Sequence, residues 1–166
     1  MRAELVNPFL TAARDVFQTM FECDLVRGTP SLKRACGPEL DVSGMIGLSG
    51  DYQGMVVLSL GRETAIRAAE ILLGHRPGDI DEDVVDAVGE ITNMIAGSAK
   101  AMLGKPNLNL GLPTVVCGAF HFVRFPTSSV PIVLPFDSPL GPICIEIGLT
   151  EAPTEVGSHY RHAARH

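Results

Sequence analysis

Hydrophobic side chains recur at three- and four-residue steps in the first part of the chain. That spacing places them on one face of an amphipathic helix. Asn7 and Pro8 predict where the helix begins, because an asparagine side chain caps a helix and a proline in the first turn needs no N–H partner. The apolar positions are Phe9, Leu10, Ala13, Val16, Phe17, Met20 and Phe21. We therefore predict a first long helix that begins at Asn7.

Residues 42–60 carry the alternating pattern of a β-hairpin. Apolar residues of the first strand alternate with their neighbours, and the stretch 50–54 supplies the turn with two glycines and an aspartate. The second strand, 55–60, is more continuously apolar, which predicts that both of its faces are buried. A short helix over Arg62–Leu73 follows and ends at Gly74.

The second half of the chain predicts another long helix and a series of strands. Helical periodicity extends over Glu82–Leu103, and Gly104 and Pro106 close the segment. The predicted buried side of this helix comprises Val84, Val88, Ile91, Ile95 and Met102. Strand-like runs cover 31–36, Thr114–Cys117, Ala119–Phe125, Val130–Phe136 and Ile143–Leu149. The pattern predicts an α+β fold, a mostly antiparallel sheet with two long helices packed on it and a shorter third helix.

A faint internal repeat runs through this pattern. The stretches Gly54–Gly61 and Gly141–Gly148 each hold six mostly apolar residues between two glycines, and each comes after a long helix. From Thr150 onward the periodicity is lost. We therefore predict one domain over residues 1–150 and a flexible C-terminal tail over residues 151–166.

Composition and charge restrict the possible classes of protein. The 166 residues are 46% hydrophobic and 19% charged, which excludes wholesale disorder. The net charge is −6 and no basic run occurs, so we expect no nucleic-acid binding. No apolar stretch approaches the roughly 18 residues that cross a bilayer, so we expect no membrane segment. The cysteines are predicted to be reduced, buried thiols of a cytoplasmic protein; they are Cys23, Cys36, Cys117 and Cys144.

A narrow polar stripe lies opposite the apolar face of the second long helix. Asp86, Glu90, Asn93 and Gly97 follow one another at steps of four, three and four residues. Gly89 lies at the border of this stripe, and a glycine within a helix costs about 1 kcal/mol relative to alanine. The stripe is therefore either a plain solvated face or a surface that another molecule approaches closely.

The residue types on the stripe favour one kind of chemistry. The amide of Asn93 offers a donor and an acceptor and can orient a water molecule, but it cannot act as a base. The carboxylate of Glu90, one turn away, can pair with a lysine or take part in proton transfer. This pair suits hydrolysis of a substrate that brings its own metal and electrophile, as in phosphoryl transfer, where positioning does most of the work.

The segment from Asp86 to Lys100 resembles the signature helix of the chemotaxis phosphatases CheC and CheX and of the related flagellar-switch phosphatases. That signature is a Ser or Asp, three residues, Glu, two residues, Asn, and Gly four residues later. Leu112–Gly118 is also similar to the segment that follows the signature helix in the family. The resemblance implies an α+β fold of this type. It also implies a phosphatase that hydrolyses the aspartyl phosphate of a CheY-like response regulator and so terminates the signal.

The resemblance also implies roles for individual residues. Asn93 is expected to position the attacking water, and Glu90 is expected to engage a lysine of the receiver domain. The partner-binding residues implied on the same helix are Asp86, Gly89, Gly97 and Lys100. This chain is expected to hold no metal or other cofactor, because the Mg²⁺ belongs to the receiver. One copy of the full signature in a short chain is more similar to CheX than to CheC and implies a possible homodimer through the sheet.

Two other functions stay open at this stage. A non-catalytic adaptor or flagellar switch-type module would dock a receiver without hydrolysing its phosphate. A ligand-sensing domain would need convergent polar groups around a deep apolar pocket, which the sequence does not indicate. In the tail, His159, His162 and His166 could line one side of a helix, but nothing pre-organises them, so no metal site is predicted.

Overall fold

A computed structural model describes residues 3–33, 40–119, 121–125 and 130–152. Across these residues three α-helices accompany eight β-strands of one sheet. In chain order the elements are α1 (Ala3–Phe21), β1 (Val26–Arg27), β2 (Ser31–Leu32), β3 (Val42–Ser49), β4 (Tyr52–Leu60), α2 (Arg62–Leu73), α3 (Glu82–Leu103), β5 (Asn109–Leu110), β6 (Thr114–Cys117), β7 (Ile132–Ser138) and β8 (Gly141–Glu151). The α+β class and the bounds of α2 and α3 are thus confirmed.

The sheet is antiparallel at every strand pair in the described residues. Its order is β1-β7-β8-β4-β3-β5, while β2 also pairs with β7 and β6 also pairs with β3. The long strands β4 and β8 form the centre. Val56 to Leu60 of β4 are all buried, as their continuous apolar pattern predicts.

The topology agrees with an internal duplication. The hairpins β3–β4 and β7–β8 lie side by side, and Val57 of β4 is opposite Glu146 of β8 near their common centre. The short strands are exchanged between the halves, since β1 and β2 pair with β7, whereas β5 and β6 pair with β3. The two-residue strand β1 beside β7 therefore corresponds to the two-residue strand β5 beside β3. The two halves are related by a pseudo-two-fold axis through the sheet.

The helix α3 packs on the sheet against β3 and also contacts α1 and α2. The buried side chains of both long helices belong to the same hydrophobic core as those of the sheet. Asp81 caps the start of α3, because its side chain accepts a hydrogen bond from the Val84 N–H at 3.1 Å. Gly104, in the left-handed conformation, caps the end of the helix. The helix approaches β3 most closely at Gly44. A Cβ atom there would collide with the Thr92 side chain and lie 3.3 Å from the Val88 carbonyl oxygen. The absence of a side chain at Gly44 thus sets the distance between α3 and the sheet.

The segment 121–125 lies across the opposite face of the sheet. His121 Nε2 is 2.7 Å from the Ser43 hydroxyl, and the Phe125 ring covers the backbone of Gly148. The ammonium group of Lys33 pairs with the Glu146 carboxylate and donates to a backbone carbonyl of the segment. Burying a charged pair requires such additional hydrogen bonds. The segment therefore covers the polar residues of the central strands.

Several boundaries differ from the sequence-based predictions. The first helix already includes Ala3, so Pro8 lies inside it and does not mark its beginning. Upstream Leu5 and Val6 are buried, and their packing outweighs the N–H that Pro8 lacks. Residues 121–125 form no strand, because they contact the sheet face through side chains and do not join its edge.

Individual side chains also differ from the predictions. Met102 is 44% exposed, since it lies in the last turn of α3 beyond the edge of the core. Cys117 is exposed at the end of β6, whereas Cys23 and Cys144 are free and buried as predicted. Burial raises the pKa of the Cys144 thiol to about 12. Cys36 and the predicted tail beyond Ala152 lie outside the described residues.

We predict opposite effects of alanine at two glycines near α3. Gly44→Ala should lower the free energy of unfolding by about 1–3 kcal/mol, because the new methyl group overpacks the helix–sheet contact. Gly97→Ala should raise it by about 0.5–1 kcal/mol, because a Cβ there meets open space and alanine favours the helix. Urea unfolding of both variants measures the difference. If the Gly44→Ala protein were as stable as the wild type, Gly44 would not set the distance between α3 and the sheet.

Candidate functional site

The outer surface of α3 carries the polar stripe that the sequence predicts. Asp86, Glu90 and Asn93 are all exposed, and Gly97 and Lys100 are partly exposed. Asp86, Asn93 and Lys100 are spaced by seven residues, so each step covers two turns and about 10.5 Å along the helix. The structure therefore brings the predicted residues onto one ridge.

No hydrogen bond or ion pair to any described part of the chain occupies the side chains of Glu90 and Asn93. The carboxylate and the amide are one turn apart and on the same side of α3. Both polar groups are therefore available to another molecule.

The ridge is rigid because the opposite side of α3 is firmly packed. Val88, Ile91 and Ile95 are fully or almost fully buried beneath Glu90 and Asn93. The Thr92 hydroxyl is also buried and donates a hydrogen bond of 2.7 Å to the Val88 carbonyl oxygen. The backbone that carries the ridge is thus held from below over two turns, which pre-organises its two polar side chains.

The two glycines of the stripe differ in their surroundings. Gly89 is buried, and a Cβ atom there would be 3.6 Å from Val115 and 3.9 Å from Pro113. The surface that approaches Gly89 is therefore the chain's own segment before and within β6, and the contact of Gly89 with a partner stays a prediction. Gly97, in contrast, has no atom within 4 Å of its Cβ position. Nothing in the described chain packs against Gly97.

An apolar side chain next to the ridge was missed by the sequence analysis. Leu112 is 89% exposed, although the residues beside it are held in place. The Gly111 N–H donates to the Gly47 carbonyl oxygen at 2.9 Å, and Pro113 lies against Gly89. The sequence signal was present in the Leu112–Gly118 segment, but only the fold shows that this segment borders the site.

Two further properties concern metals and membranes. In the ranges that the structure covers, no three His, Cys, Asp or Glu side chains come together as a candidate metal site. None of the described helices is long and apolar enough to cross a bilayer.

Comparisons with known proteins identify the family. A family model described as "Chemotaxis phosphatase CheX" matches residues 42–137, which include α3 and the hairpin beneath it. The "CheY-P phosphatase CheX" of Thermotoga maritima is 27% identical over 122 residues, which are 71% of this chain and 78% of that protein.

Solved structures extend the likeness to the whole fold. The chemotaxis protein CheX of Vibrio vulnificus superposes with a TM-score of 0.82 at 36% identity and covers 89% of this chain and 100% of its own. CheX in the CheX–CheY–BeF₃–Mg²⁺ complex of Borrelia burgdorferi gives a TM-score of 0.75 at 27% identity and covers 90% of this chain and 100% of its own. The exposed Glu-x-x-Asn ridge and the match over most of the domain agree, and the chain belongs to the CheX family of chemotaxis phosphatases.

Proposed function

We propose that this chain is a phosphatase that hydrolyses the aspartyl phosphate of a CheY-like response regulator and thereby ends its signal. The observation that carries the proposal is the unpaired Glu90 and Asn93 on the rigid ridge of α3. Two relatives support it, a curated CheY-P phosphatase and a CheX solved in complex with CheY. The reaction takes place in the cytoplasm, within the domain formed by residues 1–150.

The reaction needs a water molecule aligned with the phosphorus–oxygen bond of the phosphoaspartate. Water attacks phosphorus, the bond to the aspartate oxygen breaks, and the products are inorganic phosphate and the free carboxylate. The side-chain oxygen of Asn93 accepts a hydrogen bond from this water and holds it in line. Asn93 takes no proton, so the proton leaves with the phosphate or to solvent. The Mg²⁺ is held by the receiver, where it offsets charge on the phosphoryl oxygens.

Glu90 has a different role, in docking. Its carboxylate pairs with a lysine of the receiver and so fixes how deeply Asn93 enters the receiver site. An exposed ion pair contributes only about 0.2–1 kcal/mol, but the pair gains strength when docking removes water from it. Glu90 thus contributes both to the position of Asn93 in the receiver site and to the affinity for the receiver.

The surroundings of the two residues suit a protein partner. Gly97 has no side chain and lies one turn after Asn93, so the backbone beside Asn93 is open. No packing within the described chain accounts for a glycine there. Leu112 presents an exposed apolar side chain on the segment that packs against Gly89, the neighbour of Glu90 in the chain. Asp86 and Lys100 mark the two ends of the ridge. Open backbone, an apolar anchor and a polar rim are typical of a protein–protein interface.

The proposal includes a homodimer formed through the sheet. Its edges are the short strands β1 and β2 along β7 and β5 and β6 along β3, and the outer sides of these short strands have no strand partner within the described chain. Exposed Val26 and Leu32 on β1 and β2 add apolar surface at one edge.

The first functional prediction concerns Asn93. Asn93→Ala should slow dephosphorylation of a phosphorylated receiver by about 100-fold or more, because the water loses its positioning group. Gln18→Ala removes an exposed amide from α1 and serves as the matched control. The decay of phosphoreceiver is followed with the phosphatase at substoichiometric amounts. Unchanged decay in the Asn93→Ala variant would remove Asn93 from the mechanism, and no acceleration by the wild type would point to an adaptor.

The second functional prediction separates docking from hydrolysis. Glu90→Gln should raise the phosphoreceiver concentration at half-maximal rate by about 3- to 10-fold, because an ion pair becomes a neutral contact. The salt dependence of that concentration should weaken in the same variant. Glu82→Gln, at the start of α3, is the control with the same change in charge. Equal affinity and equal salt dependence in wild type and Glu90→Gln would refute the docking role.

The third functional prediction tests the apolar anchor. Leu112→Ser should raise the half-saturating receiver concentration by about 5-fold or more and leave the rate at saturation unchanged, because it removes binding and no reacting group. Ile71→Ser, an exposed apolar position on α2, should have no effect on either quantity. If Leu112→Ser and Ile71→Ser behaved alike, Leu112 would lie outside the interface.

A further inference from the structure

The pseudo-two-fold axis relates the ridge of α3 to a second surface on α1. The strand order makes β1 the counterpart of β5. The helix α1 comes directly before β1, as α3 comes directly before β5. The helix α1 is therefore the structural counterpart of α3.

The counterpart surface carries different chemistry. The side of α1 that faces β1 carries Asn7, Thr11 and Arg14. Arg27 of β1 adds a second guanidinium group to the same surface. This surface therefore presents two cationic positions, whereas the ridge of α3 presents the carboxylates of Asp86 and Glu90.

These residues surround a groove of about 580 Å³ between α1 and β1. Its apolar floor includes Leu25 and Phe136, both buried, and its polar wall holds Asn7, Thr11, Arg14 and Arg27. This volume lies within the roughly 300–1,000 Å³ of small-molecule sites. The groove thus combines cationic and apolar surface in a volume that fits a small organic molecule.

Both guanidinium groups in the groove lack a protein partner. Neither Arg14 nor Arg27 forms an ion pair or hydrogen bond in the part of the chain that the structure describes. By contrast, the arginines around α2 all pair with carboxylates, as Arg62 does with Asp79 and Arg67 with Glu63. In a chain of net charge −6, this pair of unneutralised arginines favours an anionic ligand.

Nearby carboxylates limit the charge of that ligand. Asp15 and Asp24 line a smaller adjoining groove together with Arg14, and Asp137 pairs in the sheet with Val26, next to Arg27. None of these acids forms an ion pair with either arginine, but each would repel a polyphosphate at close range. A ligand with one phosphoryl group is the better match.

We propose that the groove on α1 binds a small phosphate monoester. Its phosphoryl group lies between Arg14 and Arg27 and accepts a hydrogen bond from Thr11, and its apolar part covers Leu25 and Phe136. Two guanidinium groups give the short, charge-assisted hydrogen bonds that phosphate oxygens favour. The site is separate from the Glu90–Asn93 ridge and does not depend on the phosphatase function.

Titration of the full chain, followed by backbone amide NMR shifts, tests the proposal. The probes are phenyl phosphate, adenosine 5′-monophosphate, inorganic phosphate and unphosphorylated adenosine. At least one ester should give saturable shifts confined to α1, β1 and β7, and inorganic phosphate should bind more weakly because it leaves the apolar floor uncovered. Adenosine should give no saturable shift.

Variants of the exposed arginines complete the test. Arg14→Gln and Arg27→Gln should each weaken ester binding by about 10-fold or more, the usual loss for a charge-assisted hydrogen bond. Arg124→Gln, an exposed arginine on the other face of the sheet, should bind like the wild type. The proposal is overturned if neither ester binds saturably, if inorganic phosphate binds as tightly as the esters, or if the groove variants retain wild-type affinity.

Discussion

The close approach of α3 to β3 at Gly44 is the contact on which the site depends. Because Gly44 has no side chain, Thr92 and the Val88 carbonyl lie directly on the strand. The helix is therefore held at a fixed depth, with its apolar side in the core and the Glu90–Asn93 side in solvent. Catalysis by positioning tolerates little movement, since small misplacements of an orienting group cost large factors in rate. The contact of Gly44 with Thr92 and the Val88 carbonyl is made by backbone and buried atoms, so it restricts the movement of α3.

The two halves of the domain share a framework and differ in the chemistry on their helices. The strand order relates the two halves, yet only α3 carries the full signature of Asp86, Glu90, Asn93 and Gly97. Glu4 and Asn7 of α1 have the Glu-x-x-Asn spacing, but Thr11 stands where the signature has its glycine. On α1 the corresponding stretch is an arginine-bearing groove. The framework therefore supports two different exposed surfaces while its buried residues keep the same role in both halves.

Sequence reasoning succeeded where a local signal and the tertiary packing agreed. The bounds of α3 follow from the cap at Asp81, the apolar period and the left-handed Gly104, and each of these is visible in the sequence. The same period placed Glu90 and Asn93 on the exposed side. Both polar residues of the site could therefore be predicted without coordinates.

The misses share a physical cause, because each depends on contacts that are distant in the chain. Pro8 indicated a helix start locally, but burial of the residues before it extends the helix. The helical pattern places Gly89 at the border of the exposed stripe, but in the folded chain the segment before and within β6 packs against it. The position of Leu112 relative to α3 depends on the same long-range contact and could not be predicted from the sequence. Residues 121–125 have the composition of a strand, yet their partners lie on the face of the sheet and not along its edge.

The exchange of short strands between the halves has a consequence for how the chain acquires its structure. Arg27 pairs with Phe136 and Leu48 pairs with Leu110, so each half needs a strand of the other half to complete its part of the sheet. Such non-local pairings slow folding, because the chain loses loop-closure entropy before the paired strands stabilise it. We therefore expect the two halves to fold as one cooperative unit, because each hairpin is extended by a strand of the other half.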